Sequence, residues 1–180
     1  MDLTEHCISS EVIADGGMLT VKRDQVRLPN GHANYREYVM HPGAVVIVPL
    51  LPNGNVVLEK QFRYPLHQVF IELPAGKIDM GEDILITGQR ELLEETGYSA
   101  SEWVKLGHQH PCIGYSDEVI HMYLACGLTA GSHQRDEDET LEVFEASFEH
   151  CLTMIQNGQI TDGKSIIALL LAEKYLHSLI

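Results

Sequence analysis

The most constraining feature of this 180-residue chain is the stretch 76–98, GKIDMGEDILITGQRELLEETGY. Its second half carries three carboxylates within five residues, Glu91, Glu94 and Glu95. In a helix these positions are i, i+3 and i+4, so all three side chains share one face. Like charges at that spacing repel, which indicates that a cation lies opposite them. A hard divalent metal bound through oxygen is the natural candidate.

The composition and net charge limit the kinds of molecule that this chain is expected to bind. The net charge of -14 and the pI near 5.0 argue against a nucleic-acid partner, because no basic stripe is present to displace counterions. An anionic small substrate is compatible with this charge if metals and a few arginines or lysines supply a local positive field. A chain of this length with 44% hydrophobic residues predicts one substantial core with an appendage.

The cysteines and the apolar runs indicate the cellular compartment in which the protein is expected. The four cysteines have no CxxC spacing and no Cys/His pairing, so we expect reduced thiols. The first ten residues lack the basic and apolar regions of a signal peptide, and no apolar run is long enough to span a membrane. We therefore expect a soluble, cytoplasmic protein without a membrane partner.

Hydrophobic patterns and turn signals predict a mixed fold. The predicted strands lie at 7–13, 18–28, 34–40, 44–51, 56–62, 69–73, 103–108, 119–125 and 141–144. The predicted helices lie at 84–96, 148–156 and from 161 or 162 to 177. Strands 44–51 and 56–62 are expected to form a hairpin through the turn 52–55, and 129–138 is expected to be a polar loop. This is an α+β pattern, with helices on a mixed sheet and an antiparallel β-segment in front.

The stretch 76–98 also fits the pattern Gly-x5-Glu-x7-Arg-Glu-U-x-Glu-Glu-x-Gly-U, where U is bulky and apolar. The residues that fill it are Gly76, Glu82, Arg90, Glu91, Leu92, Glu94, Glu95 and Gly97. The segment resembles the Nudix box of the Nudix hydrolases, with Tyr98 as the departure at the last position. The competing interpretation is a solvated acidic helix beside an ordinary loop.

The resemblance implies a site and a chemistry. It implies an α/β/α sandwich that binds Mg2+, with Mn2+ as a substitute, through Glu91, Glu95, the carbonyl of Ala75 and Glu139. It implies that Glu94 and Glu95 take part in catalysis together with Glu137 or a neighbour as the general base. Arg90 and Glu82 are interpreted as an internal ion pair between the loop and the helix.

Outside the box, residues 61–65, 72–79, 114–125 and 158–165 resemble the ADP-ribose pyrophosphatase group. This resemblance implies hydrolysis of ADP-ribose to AMP and ribose 5-phosphate. It assigns substrate contacts to Arg36, Arg63, Glu72 and Glu118. It further implies a homodimer in which residues 1–42 exchange between subunits, while residues 43–180 form the hydrolase domain.

Three alternatives stay open at this point. Ile113 stands where the group usually carries Pro, and this loop varies in relatives that cleave GDP-mannose or other nucleoside diphosphate sugars. A non-catalytic nucleotide-sensing module is a second alternative, although such modules usually lose box carboxylates. An RNA-decapping or mutagenic-nucleotide enzyme is the third, and the acidic composition and residues 61–79 disfavour it.

Overall fold

The computed structural model describes residues 1–17, 19–131 and 140–179. The chain divides into two compact units, residues 1–42 with 110–119 and residues 43–109 with 120–180. The first unit thus contains the whole predicted N-terminal segment together with a short stretch from the middle of the chain. The assignment of 1–42 to dimerisation stays a prediction.

The first unit is built on a three-stranded antiparallel sheet, in the order β1-β2-β3. Its strands are β1 (His6–Asp15), β2 (Thr20–Arg27) and β3 (Ala33–Met40), close to the predicted ranges. All ten residues of β1 are exposed. Residues 110–119 join this unit through Val39, whose amide donates to the Tyr115 carbonyl and whose carbonyl accepts from the Asp117 amide.

The second unit contains two sheets and three helices. Its strands are β4 (Ala44–Pro49), β5 (Asn55–Arg63), β6 (Gln68–Glu72), β7 (Ala75–Lys77), β8 (Tyr98–Gln109), β9 (Ile120–Ala130) and β10 (Leu141–Ser147). Its helices are α1 (Ile84–Thr96), α2 (Phe148–Gln156) and α3 (Gly163–His177). One sheet has the order β7-β4-β9-β8, with β4 and β9 parallel, and the other has the antiparallel order β10-β5-β6.

Strand β4 shows why the unit is layered. Its six residues are all buried, as the apolar run predicts, and alternate residues enter different cores. Val45 and Ile47 pack in one core with Leu92 of α1. Val46 and Val48 pack in the other, which also contains the buried residues of α2 and α3. Helices therefore cover both faces, which confirms the predicted α/β/α arrangement.

The predicted hairpin between β4 and β5 is wrong. Both edges of β4 are already occupied, by β7 on one side and β9 on the other. After the turn, β5 therefore enters the second sheet and keeps only one bridge to the end of the first, between Leu50 and Val56.

Three further boundaries differ from the predictions. Strand β7 was missed because three residues are too short for a periodic signal. Strands β8 and β9 are longer than predicted and pair as far as Tyr98 with Ala130. Thr129, predicted in a polar loop, therefore belongs to β9.

In the described part of the chain, no helix is long and apolar enough to cross a membrane.

Candidate active site

Helix α1 spans the predicted range, and local signals define both ends. The Asp83 side chain caps its first turn by accepting from the amides of Leu85 and Ile86. Gly97 ends it in the left-handed conformation, at φ 77°. A methyl group at Gly88 would lie 3.2 Å from Val45 Cγ1, so this glycine lets the helix approach β4 closely.

The carboxylate of Glu91 lies directly against the backbone of β7. A Cβ placed on Gly76 would be 1.8 Å from the carboxyl carbon of Glu91, far inside any real contact distance. Glu91 is 9% exposed, so its charged end is turned to the sheet and away from bulk water. The glycine therefore creates the space in which the first box carboxylate lies.

Glu95, one turn further along, contacts the neighbouring residue of the same strand. Its Oε2 accepts a hydrogen bond of 2.9 Å from the amide of Ala75, and the residue is 2% exposed. The Ala75–Gly76 backbone thus meets Glu95 and Glu91 side by side. The structure brings together three of the predicted metal-binding positions.

Arg90 contacts two of the three helix carboxylates, Glu91 and Glu94, and also Glu82 in the preceding loop. Its Nη1 donates to Glu91 Oε1 at 2.8 Å and to Glu94 Oε2 at 3.0 Å. Its Nε and Nη2 donate to the two carboxylate oxygens of Glu82, each at 3.0 Å. The predicted Arg90–Glu82 pair is confirmed. Part of the like-charge repulsion on α1 is therefore offset by Arg90.

The same contacts define the charge state of the loop. Hydrogen bonds from Arg90 lower the pKa of Glu82 to about 2, and the Thr87 hydroxyl and the Asp79 amide contribute in the same direction. Hydrogen bonds to Glu82, the charge of Glu91, and hydrogen bonds to Glu94 and Glu91 raise the pKa of Arg90. Both groups are charged at neutral pH, so the loop is tied to the helix by a charge-assisted pair.

The donor set suits a hard divalent ion, but the described residues supply only part of it. Buried carboxylates and a backbone carbonyl are the oxygen ligands that Mg2+ takes. Among residues 1–17, 19–131 and 140–179, no three acidic, histidine or cysteine side chains form a ready metal cluster. Glu139, the predicted fourth ligand, and Glu137, the predicted base, lie outside the described residues.

Two predicted substrate contacts, Arg63 and Glu72, form one ion pair. Arg63 Nε and Nη2 donate to the two oxygens of Glu72, each at 2.7 Å. Burial alone would raise the pKa of Glu72, but Arg63 and Lys164 outweigh it and lower that pKa. The pair borders a cavity of about 280 Å3 that Leu66, Phe70 and the segment 161–164 also line.

Sequence reasoning missed the α3 residues at this cavity. Lys164 Nζ contacts Glu72 Oε2 and lies 3.0 Å from Asp162 Oδ2. Asp162 was predicted as a possible first residue of the last helix, and it is the N-cap of α3. No local signal could have paired Lys164 with Glu72, because 92 residues separate them.

The other two predicted substrate contacts, Arg36 and Glu118, belong to the first unit. Arg36 Nη2 donates to Glu5 Oε1 at 2.6 Å, and the Arg36 side chain is 44% exposed. Glu118 Oε1 lies 3.6 Å from His41 Nδ1, an ion pair only when His41 is protonated. Their roles toward substrate stay predictions.

Comparison with known proteins identifies the motif. The NUDIX domain family model matches residues 40–166, which include every box residue and both sheets of the second unit. The chain belongs to the Nudix family. The chain is a Nudix hydrolase, and the matched region includes its whole box.

Three relatives of this Nudix hydrolase are similar over most of its length. The ADP-ribose pyrophosphatase of Bacillus subtilis (strain 168) is 38% identical over 169 residues, 93% of this chain and 91% of that protein. The methanol dehydrogenase activator of Bacillus methanolicus is 39% identical, covering 91% and 90%. A GDP-mannose pyrophosphatase of Yersinia enterocolitica is 34% identical, covering 77% and 75%.

A solved structure supports the fold. The crystal structure of an ADP compounds hydrolase superimposes with a TM-score of 0.89 and covers 99% of this chain and 98% of that one. At 22% sequence identity, this likeness concerns the fold alone.

Proposed function

We propose that this Nudix hydrolase cleaves the pyrophosphate bond of ADP-ribose in a Mg2+-dependent reaction, releasing AMP and ribose 5-phosphate. The observation that carries the proposal is the placement of Glu91 and Glu95 against Gly76 and Ala75 within a complete box. The similarity to the ADP-ribose pyrophosphatase of Bacillus subtilis supports the choice of substrate.

Mg2+ would be held by four groups, namely Glu91, Glu95, the carbonyl of Ala75 and Glu139. When bound, Mg2+ neutralises charge on the phosphates and lowers the pKa of a coordinated water. Glu91 and Glu95 are buried, so their charges are poorly screened and attract a cation strongly. This supports a metal site on the face of α1 that meets β7.

The chain's own residues would bind, orient and accept protons. Glu94 is held by Arg90 Nη1 and is half-exposed, which suits a group that orients water or supports the metal ligands. Glu137 or a neighbour would take the proton from the attacking water. Arg63, fixed by Glu72 and 40% exposed, would donate to the phosphates or the base of the substrate.

Residues outside the box would determine which sugar the enzyme accepts in the distal half of the substrate. Glu118 would hold the distal sugar, and Arg36 would contact the base or the phosphates. Ile113, in the neighbouring loop, is 85% exposed and stands where the group usually carries Pro. The alternative substrate is therefore GDP-mannose or another nucleoside diphosphate sugar, which the Yersinia enterocolitica relative also supports.

Two further parts of the proposal concern assembly and location. We propose a homodimer formed through residues 1–42, supported by the fully exposed β1 and its apolar residues Ile8, Val12 and Ile13. We propose a cytoplasmic location, in keeping with four free cysteines.

A substrate panel tests the proposal. Purified protein is incubated with Mg2+ and, separately, ADP-ribose, ADP-glucose, GDP-mannose, 8-oxo-dGTP and capped RNA, and phosphate release is followed with a coupled phosphatase. We expect the highest kcat/KM with ADP-ribose. A preference for GDP-mannose would move the substrate to the alternative, and no turnover of any of them would refute the proposed function.

A further inference from the structure

Holding the Arg63 guanidinium in one orientation would lower the entropic cost of binding a substrate there. The structure holds it by a bidentate pair with Glu72, which is 2% exposed. These bonds use Nε and Nη2, and within the described part of the chain Nη1 of Arg63 makes no hydrogen bond. One edge of the guanidinium is thus fixed by the protein, while Nη1 keeps its donors.

Glu72 does not serve Arg63 alone. Its Oε2, which accepts from Arg63 Nη2, also contacts Lys164 Nζ. The Lys164 side chain is 14% exposed, so it is largely removed from water at this contact. Burying a second cation beside a carboxylate that already has a bidentate partner costs desolvation, so stability alone does not explain it.

Lys164 is anchored from behind by the first turn of α3. Asp162 Oδ2 lies 3.0 Å from Lys164 Nζ and also accepts from the amide and hydroxyl of Ser165, at 3.1 and 2.6 Å. The Ser165 hydroxyl oxygen in turn accepts from the amide of Leu73, two residues before Ala75. The ammonium is therefore fixed relative to the strand that leads into the box.

The charges of the side chains that line the cavity sum to zero only because Lys164 is present. Arg63 and Lys164 contribute two positive charges, and Glu72 and Asp162 contribute two negative ones. Without Lys164 the wall of the cavity would carry a net negative charge. Because the pyrophosphate of a nucleoside diphosphate sugar is anionic, that change would weaken its binding at Arg63.

We propose that Lys164 is a positioning residue for substrate binding, which acts through Glu72 to hold Arg63 and to cancel the negative charge beside it. The inference rests on the proposed function, because it takes Arg63 as a contact of the substrate. It assigns to the start of α3 a part in substrate affinity that neither the box nor the flanking resemblance gives it.

Replacing Lys164 with methionine removes the charge and retains most of the stem. We expect the KM for ADP-ribose to rise about tenfold while kcat stays within about threefold, since a ground-state binding contact is weakened. Lys60→Met is the matched control, because Lys60 pairs with Glu142 at 2.9 Å on the neighbouring strand pair and does not touch Glu72. If Lys164→Met fails to fold, Lys164→Gln provides the same comparison.

A double-mutant cycle separates positioning from a purely structural role. In an Arg63→Met background, we expect Lys164→Met to raise KM by at most about threefold, because the residue that it positions is gone and only the loss of its positive charge remains. An unchanged KM in the single variant overturns the inference. So does a full tenfold effect in the Arg63→Met background, or an equal effect of Lys60→Met.

Binding measured without catalysis distinguishes this inference from the proposed function. Calorimetric titration with ADP-ribose in the absence of Mg2+ should give a Kd about tenfold weaker for Lys164→Met than for the wild type. Wild-type protein that binds ADP-ribose but does not cleave it refutes the proposed reaction and leaves the Kd comparison decisive. Wild-type protein that neither binds nor cleaves ADP-ribose overturns both.

Discussion

The carboxylate of Glu91 occupies the space that a side chain at position 76 would fill, and it can do so because residue 76 is glycine. A Cβ at position 76 would lie 1.8 Å from both the carboxyl carbon and Oε1 of Glu91. The first glycine of the box is therefore a steric requirement for the position of a carboxylate 15 residues later in the chain.

Gly76→Ala should displace the Glu91 side chain with little effect on folding. The clashing atoms belong to the end of a flexible side chain, so Glu91 can move away, but it then leaves the Ala75–Gly76 backbone. We expect the apparent affinity for Mg2+ to fall by about 10–100-fold, as when a ligand loses its orientation. Mg2+ titration of the hydrolysis rate measures this.

Gly17→Ala is the control for this variant, since a Cβ there meets nothing within 4 Å. Its Mg2+ dependence should match the wild type. A Gly76→Ala protein with unchanged Mg2+ affinity would show that the position of Glu91 does not matter for the metal.

Glu95→Gln should abolish most of the activity while the fold persists. The amide oxygen of glutamine can still accept from the Ala75 amide, so the 2.9 Å hydrogen bond has a substitute. The lost charge removes a metal ligand, and we expect kcat to fall at least about 100-fold. Glu102→Gln, on the exposed side of β8, should retain wild-type kcat. Equal kcat for Glu95→Gln and Glu102→Gln would contradict this assignment.

The Glu82–Arg90 pair predicts a pH-dependent stability. Because the pKa of Glu82 is lowered from 4.5 to about 2 in the folded protein, its contribution is complete above about pH 4.5. It is lost as the pH falls toward about 2. Urea unfolding of Glu82→Gln at pH 7 should show a loss of about 1–2 kcal/mol relative to the wild type, and a smaller loss near pH 2.5. A difference that does not shrink at low pH would argue against this pair as its source.

Ser165→Ala should destabilise the second unit through two buried bonds. Ser165 is fully buried, its hydroxyl donates to Asp162 and it accepts from the Leu73 amide at 2.8 Å. Leaving that amide without a partner should lower the free energy of unfolding by about 1–3 kcal/mol. The exposed Ser178 at the other end of α3 is a matched control, and Ser178→Ala should cost less than about 0.5 kcal/mol. Equal effects of the two variants in urea unfolding would refute the role of the buried network.

The box helix could be predicted from the sequence because its signals are local. The spacing of Glu91, Glu94 and Glu95, the terminal Gly97 and the Arg90–Glu82 pair all lie within 16 residues, and the structure confirms the helix and the pair. Part of the positive charge predicted opposite the acids comes from Arg90, which contacts Glu91 and Glu94.

The rest of the site depends on long-range packing. Whether β4 and β5 pair with each other depends on long-range contacts, because β7 and β9 occupy both edges of β4. Lys164 meets Glu72 because the fold brings the first turn of α3 to the end of β6, and no local sequence signal marks either residue for that contact. The short strand β7 is defined by its pairing with β4, in which Gly76 lies opposite Val45, and no local sequence pattern predicts it.

Product analysis tests the central claim most directly. The protein is incubated with ADP-ribose and Mg2+, and AMP and ribose 5-phosphate are separated by chromatography and quantified over time. The account predicts equal amounts of the two products, with formation lost in Glu95→Gln and unchanged in Glu102→Gln. Undiminished product formation in Glu95→Gln, or products other than AMP and ribose 5-phosphate, would contradict it.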